Sequence, residues 1–501
     1  MKRIILYNPQ ADLIYWRKGN PPLPLLAVSS ILDKEGYEIK ILDYRSWDIA
    51  DAEGALCAGI TCMTGYQILD GLNFARKIRQ KYPGIPIVWG GRHPTLLPEQ
   101  TIENEFVDIV VRGQGERTFT ELVKAIEAQE GLSGVQGITY KDPGGRIISN
   151  PERPFEDVNN FPPLPYHLLK MEEHIARTRM GKRTIGYITS MGCPFHCGFC
   201  AEESVFHRRW SGLTADRVVE DIRNLVDKYN VDSVILSDSN FFVNEKRVSD
   251  ICEGIKGLGI AWGQVNGRTD TLSRYKPQTW RLMRESGLQY ILTGAESGLE
   301  ECLKVIKKEA DTRDTLNFTR IAKDHGVRIQ FSLFIGTPCP EKTFTVDQEL
   351  ESTLDLIYRL HRMNKDSEFL FFVYAPYPGS PLYEATKQLG FKEPEKFEEW
   401  GHFDLNEKHI PWVSDRQARF TWDISYYLFF ISGSLHKTIN NYPFIARVVL
   451  MIAALPFYAI VLFRFKHKFF AVPFEIIFIR LALKAQNNIK EAISRWTRLF
   501  R

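Results

Sequence analysis

Short, almost wholly apolar runs alternate with longer amphipathic stretches through the first 140 residues. Residues 2–8, 37–43, 58–62 and 85–89 read as buried strands, and 23–35 and 68–82 carry the three-to-four-residue apolar spacing of helices. Continuous apolar strands separated by helices predict a parallel, doubly wound α/β sheet, whose ligands lie beyond the carboxyl ends of the strands. The loops expected there are Thr61-Cys62-Met63-Thr64-Gly65, Gly90-Gly91-Arg92-His93-Pro94-Thr95 and Arg112-Gly113-Gln114-Gly115-Glu116-Arg117. Their glycines let backbone approach a large ligand closely.

Residues 142–167 hold six prolines, a density that stops regular structure and marks a connector. Beyond it the alternation resumes. Strands are expected at 184–189, 232–238, 261–266, 290–298, 328–338 and 369–381, with helices at 217–229, 246–258 and 278–285 among them. Six strand-and-helix repeats in order suggest a partial (β/α)6 barrel, whose active site belongs at the carboxyl ends of its strands. The expected organisation is a Rossmann-like domain over 1–141, a linker over 142–180, a barrel over 181–400 and a helical region over 401–501.

Composition changes the picture mainly at the end of the chain. The whole sequence of 501 residues carries a net charge of +3, but residues 437–501 alone carry +9, so the body before them is mildly acidic at −6. Apolar, aromatic runs at 426–431, 448–463 and 469–479 are bracketed by Arg447, Arg464, Lys466, Lys468 and Arg480. The longest uncharged run has 16 residues and contains Pro456, short of the roughly 20 a spanning helix needs, so peripheral contact with an anionic membrane through 425–480 is expected rather than crossing. A cap over the barrel mouth is the alternative use of these aromatics, and either use places apolar surface near the substrate entrance. Eight cysteines with no N-terminal signal pattern point to a reducing compartment, the cytoplasm. No basic, non-apolar patch suggests nucleic acid.

The chemistry is concentrated in Ser190-Met191-Gly192-Cys193-Pro194-Phe195-His196-Cys197-Gly198-Phe199-Cys200. Three thiols in a Cys-x3-Cys-x2-Cys run within a Gly- and Pro-containing loop can converge on one metal centre. Zinc, with His196 or His207 as fourth ligand, is one alternative. A cubane with one iron left open is the other. The run, with aromatic Phe199 before its last cysteine, resembles the signature of radical S-adenosylmethionine enzymes. The loops with Gly90-Gly91-x-His93-Pro94-Thr95 and Arg112-Gly113-x-Gly115-Glu116 are similar to the cobalamin-binding domain fused to one large branch of that family.

The resemblance implies a [4Fe-4S] cluster on Cys193, Cys197 and Cys200, its open iron chelated by S-adenosylmethionine and its electron cleaving that sulfonium to a 5'-deoxyadenosyl radical. It implies S-adenosylmethionine contacts from Phe199, Asp238, Glu296, Ser297, Gly336 and Pro338, with Asp238 holding the amino group. It further implies cobalamin contacts from Thr61, Gly65, Gly90, Gly91, His93, Gly113, Gly115 and Glu116. Outside this register Asp238 or Glu296 would read as a helix cap or a solvated acid. No Asp-x-His-x-x-Gly motif occurs, so no histidine is expected below cobalt, and His93 reads as a hydrogen-bonding residue. The implied activity is methylation of an unactivated carbon of a hydrophobic, lipid-like or polycyclic substrate, fed by a low-potential donor such as flavodoxin or ferredoxin; no individual catalytic side chain is identified. Two alternatives are a cyclase or oxidase similar to the anaerobic magnesium-protoporphyrin monomethyl ester cyclases, and a non-catalytic sensor at the membrane.

Overall fold

The computed structural model describes residues 2–11, 20–404, 407–433, 435, 439, 443–470 and 473–477. The first sheet is built from β1 (Arg3–Asn8), β2 (Glu38–Asp43), β3 (Ala55–Thr61), β4 (Ile87–Gly90), β5 (Ile109–Val111), β6 (Ile138–Lys141) and β7 (Ile147–Ser149) in the order β2-β1-β3-β4-β5-β6-β7. β1 to β5 run parallel, and β6 and β7 add antiparallel at one edge. Helices α1 (Leu23–Lys34), α2 (Gln67–Lys81), α3 (Arg92–Leu96), α4 (Pro98–Glu103) and α5 (Gly115–Ala128) connect the parallel strands. Because both faces are covered, the inner strands β1, β3, β4 and β5 are apolar nearly throughout, as the sequence pattern predicts. β7 falls within the stretch expected to be irregular; Gly144 and Gly145 make the tight turn that pairs it with β6.

The connector reaches α6 (Met171–His174), with Tyr166 buried and donating to the Gly186 carbonyl at 3.1 Å. The second unit continues through β8 (Thr184–Tyr187), the antiparallel ribbon of β9 (Ser190–Gly192) and β10 (Trp210–Gly212) around α7 (Glu202–Phe206), then α8 (Ala215–Tyr229), β11 (Ser233–Leu236) and α9 (Glu245–Ile255). β12 (Ala261–Gly263), β13 (Val265–Gly267), α10 (Thr269–Ser273), α11 (Pro277–Glu285), β14 (Tyr290–Glu296), α12 (Glu300–Val305) and α13 (Thr312–Asp324) follow. β15 (Arg328–Ile335), α14 (Val346–Met363), β16 (Glu368–Val373) and α15 (Tyr383–Gln388) complete the barrel wall. The strands form two parallel sheets, β12-β11-β8 and β13-β14-β15-β16. The run expected as one third strand is therefore two, because Gln264 between them takes a left-handed φ of 52° and redirects pairing from β11 to β14. Helix caps reinforce the pattern: Asp311 with Asp314, Thr345 with Gln348 and Ser414 with Gln417 form reciprocal boxes.

After the barrel, residues 391–403 return to the first sheet. Phe397 packs edge-on to Trp89, Trp400 donates to Gln100 at 2.7 Å, and Phe403 joins the same buried cluster. The chain then forms α16 (Asp415–Ile431) and α17 (Phe444–His467). α16 packs on β16, and α17 lies outside it beside α14, along the barrel's flank. The helix of α17 also runs unbroken through Pro456, so its 24 residues are long and apolar enough to cross a membrane by length and composition, contrary to the expectation from the uncharged run. Residues 471, 472, 478 and 479 of the last apolar run, and Arg480 after it, lie outside the described residues.

Candidate active site

The cysteine loop leaves the carboxyl end of β8 and is clasped on every side. Gly192, with φ 80°, lets the ribbon pass Arg209; a Cβ there would lie 2.2 Å from the Arg209 carbonyl oxygen. Gly198 donates to the Ile306 carbonyl at 2.7 Å, and its own carbonyl accepts from Leu382 at 2.8 Å. Cys193, Cys197 and Cys200 are free and half-buried. Burial raises the Cys193 thiol and pushes Cys200 up to about 12, so loading with metal must displace protons.

Cations offset that burial. Arg268, itself buried, donates from Nη1 to Cys197 Sγ at 3.2 Å, lies 3.9 Å over the Phe195 ring and is held by Asp270 at 3.0 Å. Lys308, also buried, pairs with Glu296 at 2.7 Å and faces the Phe199 ring. Burial is the largest influence and favours neutral Lys308, but the negative charge of Glu296 and Cys197 together raises the lysine. Glu296 reaches this position through a left-handed φ of 59° at the register shift between β14 and β15.

The other positions assigned by resemblance divide. Phe199 meets Phe334 edge-on at the mouth. Asp238 is fully buried and its carboxylate accepts from Thr189 N, Thr189 Oγ1 and Ser190 Oγ. It anchors the start of the cysteine loop, and these donors take up the carboxylate that was expected to hold the cofactor's amino group. Ser297 is likewise buried and turned toward Thr353 of α14 at 3.3 Å. Gly336, with φ 86°, donates to Glu349 and accepts from Trp412 Nε1; beside it Pro338 is buried. Glu349 is a missed residue: it gathers Gly336 N, Thr337 and Cys302 in one buried network. Its sequence context, a charged first helical turn, gives no sign of this. Arg268 and Asp270 stood at a predicted strand end without a role, and Lys308 stood in a charged run that resembles a solvated face.

On the first sheet, the loops after β3, β4 and β5 meet. Gly91 takes φ 98°, and a Cβ there would lie 2.7 Å from the Cys62 carbonyl oxygen and 2.9 Å from Thr61 Oγ1. Gly113 donates to Thr95 Oγ1 at 3.0 Å, and a Cβ on Gly115 would press Val28 at 2.9 Å. Thr61, Gly90, Gly91, Gly113 and Gly115 thus make a low ridge at the sheet's carboxyl edge, its glycines letting the loops pass close to one another. Two expected members are elsewhere. Gly65 is buried and donates to the Trp400 carbonyl, while His93 lies on α3 under Phe397 and Trp400. His93 Nδ1 meets Thr64 Oγ1 at 2.9 Å, and burial lowers the ring to about 3, so it is neutral and enclosed, not on an open loop. Glu116 is buried in the first turn of α5, facing a cavity between the units that Tyr187, Arg217 and Asp221 also line.

The two edges face one another. Arg92, next to Gly91, forms an ion pair with Glu202, two residues beyond Cys200, and approaches Ser239 Oγ at 3.5 Å. The donor set fits a cubane better than zinc. Among the described residues no three His, Cys, Asp or Glu side chains converge as a single ion requires, and His196 and His207 face Glu309 and Glu152.

Comparison with known proteins agrees with this geometry. The B12 binding domain model matches residues 18–123 and the Radical SAM superfamily model residues 187–357. An uncharacterized methyltransferase of Pyrococcus horikoshii is 31% identical over 399 residues, 77% of this chain and 83% of that protein. The hopanoid C-3 methylase of Methylococcus capsulatus is 20% identical, covering 74% and 69%. The fold is similar to that of OxsB, a cobalamin-dependent S-adenosylmethionine radical enzyme solved with aqua-cobalamin and S-adenosylmethionine, at a TM-score of 0.69 and 17% identity over 92% of this chain and 72% of that one. A cysteine loop set against a glycine ridge, in a chain matched along both units, belongs to the cobalamin-dependent radical S-adenosylmethionine enzymes, in the branch that includes the methyltransferases.

Proposed function

We propose that the protein methylates an unactivated carbon of a hydrophobic, lipid-like or polycyclic substrate, working in the cytoplasm at the inner face of the cell membrane with a flavodoxin or ferredoxin as electron donor. The apposition that carries this reading is Arg92 of the glycine ridge paired with Glu202 of the cysteine loop. It sets the edge suited to cobalamin against the edge suited to the cluster. When bound, the cofactors supply one-electron cleavage, hydrogen abstraction and a methyl group, none of which side chains offer.

The chain's own residues bind, orient and exclude water. Cys193, Cys197 and Cys200 would hold the cluster, with Arg268 fixing the Cys197 sulfur. The Glu296–Lys308 pair and the rings of Phe199, Phe334 and Tyr374 close the cluster side of the mouth. Thr61, Gly90, Gly91, Gly113 and Gly115 would carry cobalamin, while His93, enclosed under Phe397 and Trp400, would support the loop from behind. The hydrophobic substrate class is supported by the hopanoid methylase among the relatives.

Anaerobic reconstitution, followed by dithionite and S-adenosylmethionine, tests the reading, with Cys197→Ala as control. The expected result is 5'-deoxyadenosine together with a bound-cobalamin spectrum, and products from a lipid or tetrapyrrole extract heavier by whole CH2 units. Deoxyadenosine with a product that gains a ring and no carbon would replace methylation by cyclisation. Deoxyadenosine from protein that never retains cobalamin would remove the methyl-transfer step.

A further inference from the structure

Helix α17 turns an apolar stripe outward along almost its whole length. Ile445 (78% exposed), Val449 (59%), Ile452 (62%), Leu455 (60%) and Phe463 (56%), with Ala459 between the last two, lie on one face at helical spacing. From Ile445 to Phe463 the stripe is about 27 Å long. Through Phe444, Val448, Leu450 and Met451 the first half of the helix is exposed on its other sides too, and it is the last third whose opposite side is committed to the barrel. Tyr458 Oη meets His361 Nε2 of α14 at 3.1 Å, Phe457 stacks on Phe430 of α16 at 5.4 Å, and Val461 and Phe465 are buried. Arg464 pairs with Glu475 in a nearly inaccessible contact. No Asp or Glu occurs in the chain between Asp423 and Glu475, and at the helix end Lys466 is exposed on the side of the stripe while Lys468 pairs with Glu351 of α14 at 2.7 Å.

We infer that α17 lies side-on in one leaflet of an anionic bilayer, its outward stripe among the acyl chains and Lys466 at the phosphates. This deepens the membrane placement proposed above by assigning the element, its depth and its orientation. A helix with apolar face outward and cations at its end embeds about 5–10 Å into the headgroup boundary. Spanning would require lipid around the whole circumference, and so would strip the Tyr458, Phe457 and Arg464 contacts from the barrel. Pairing with a second copy would bring two cationic ends together with no acid on the stripe to answer them.

The test uses the full chain, reconstituted anaerobically, and vesicles of phosphatidylcholine with or without phosphatidylglycerol. Sedimentation with the phosphatidylglycerol vesicles, release by alkaline carbonate, and partition weakened about tenfold or more by Val449→Asp with Ile452→Asp are expected. Retained cluster absorbance shows that the variant is folded. An Ile452→Trp variant, which keeps the surface apolar, should be quenched most by bromines near the carbonyl end of the acyl chain. Strongest quenching by bromines near the chain terminus, with resistance to carbonate, would overturn the side-on orientation while leaving the membrane placement standing. No sedimentation with either vesicle, alongside a dimer by light scattering, would overturn both in favour of self-association.

Discussion

Arg268 is the residue on which the cluster side turns. Its guanidinium donates to Cys197 while Asp270 fixes its plane, and a hydrogen bond to a charged partner contributes about 1.5–3 kcal/mol. Arg268→Met keeps the stem and removes the charge. The reconstituted variant should load iron normally and show a lower reduction midpoint in an EPR-monitored titration; an unchanged midpoint would mean the guanidinium only packs. A second residue-scale expectation concerns Glu116, whose burial raises its carboxyl from 4.5 to about 7. Between those values the native state holds a proton that the unfolded chain has lost, so stability is fullest below pH 4.5 and declines as pH rises to about 7, by on the order of 3 kcal/mol. Glu116→Gln should flatten that slope in urea titrations and be the more stable form at pH 8. The cysteines were legible because their spacing is local. Lys308 and Glu349 were not, because their partners lie 12 or more residues away and only the fold brings them together.

Among elements, strand alternation was readable because both faces of a parallel sheet are apolar, and the ligand loops followed from strand direction. Three features escaped the pattern. A single left-handed Gln264 divides one expected strand, a glycine turn adds β7 inside the proline-rich connector, and α17 continues through Pro456. Each depends on a backbone choice that apolar spacing does not encode. The glycine ridge supports a direct expectation. Gly91→Ala puts a methyl group 2.7 Å from the Cys62 carbonyl oxygen in a left-handed conformation. It should abolish retention of cobalamin on gel filtration while leaving iron content near that of the parent. Loss of both cofactors would show instead that the loop supports the whole fold.

At the scale of the molecule, Arg92 with Glu202 links the two units two residues from Cys200. Arg92→Ala should leave both cofactors bound and raise the deoxyadenosine formed per methylated product several-fold, because the radical site and the methyl-bearing edge lose their registration. An unchanged ratio would place that registration elsewhere. The order of the two units was legible from the sequence; the return of residues 391–403 to the first sheet was not, since their aromatic content resembles any barrel-end helix.

That return has a consequence for biosynthesis. Phe397, Trp400 and Phe403 complete the core beside Trp89 and Gln100, yet they follow Asn150 by about 250 residues. At about 5–20 residues per second, the ribosome leaves the first sheet without its aromatic closure for roughly 12–50 s. During that interval the nascent chain exposes the surface around Trp89, Ile68 and His93, a binding surface for chaperones. Truncations that end before residue 400 should accumulate with chaperones or aggregate even though every strand of the first sheet has been synthesised.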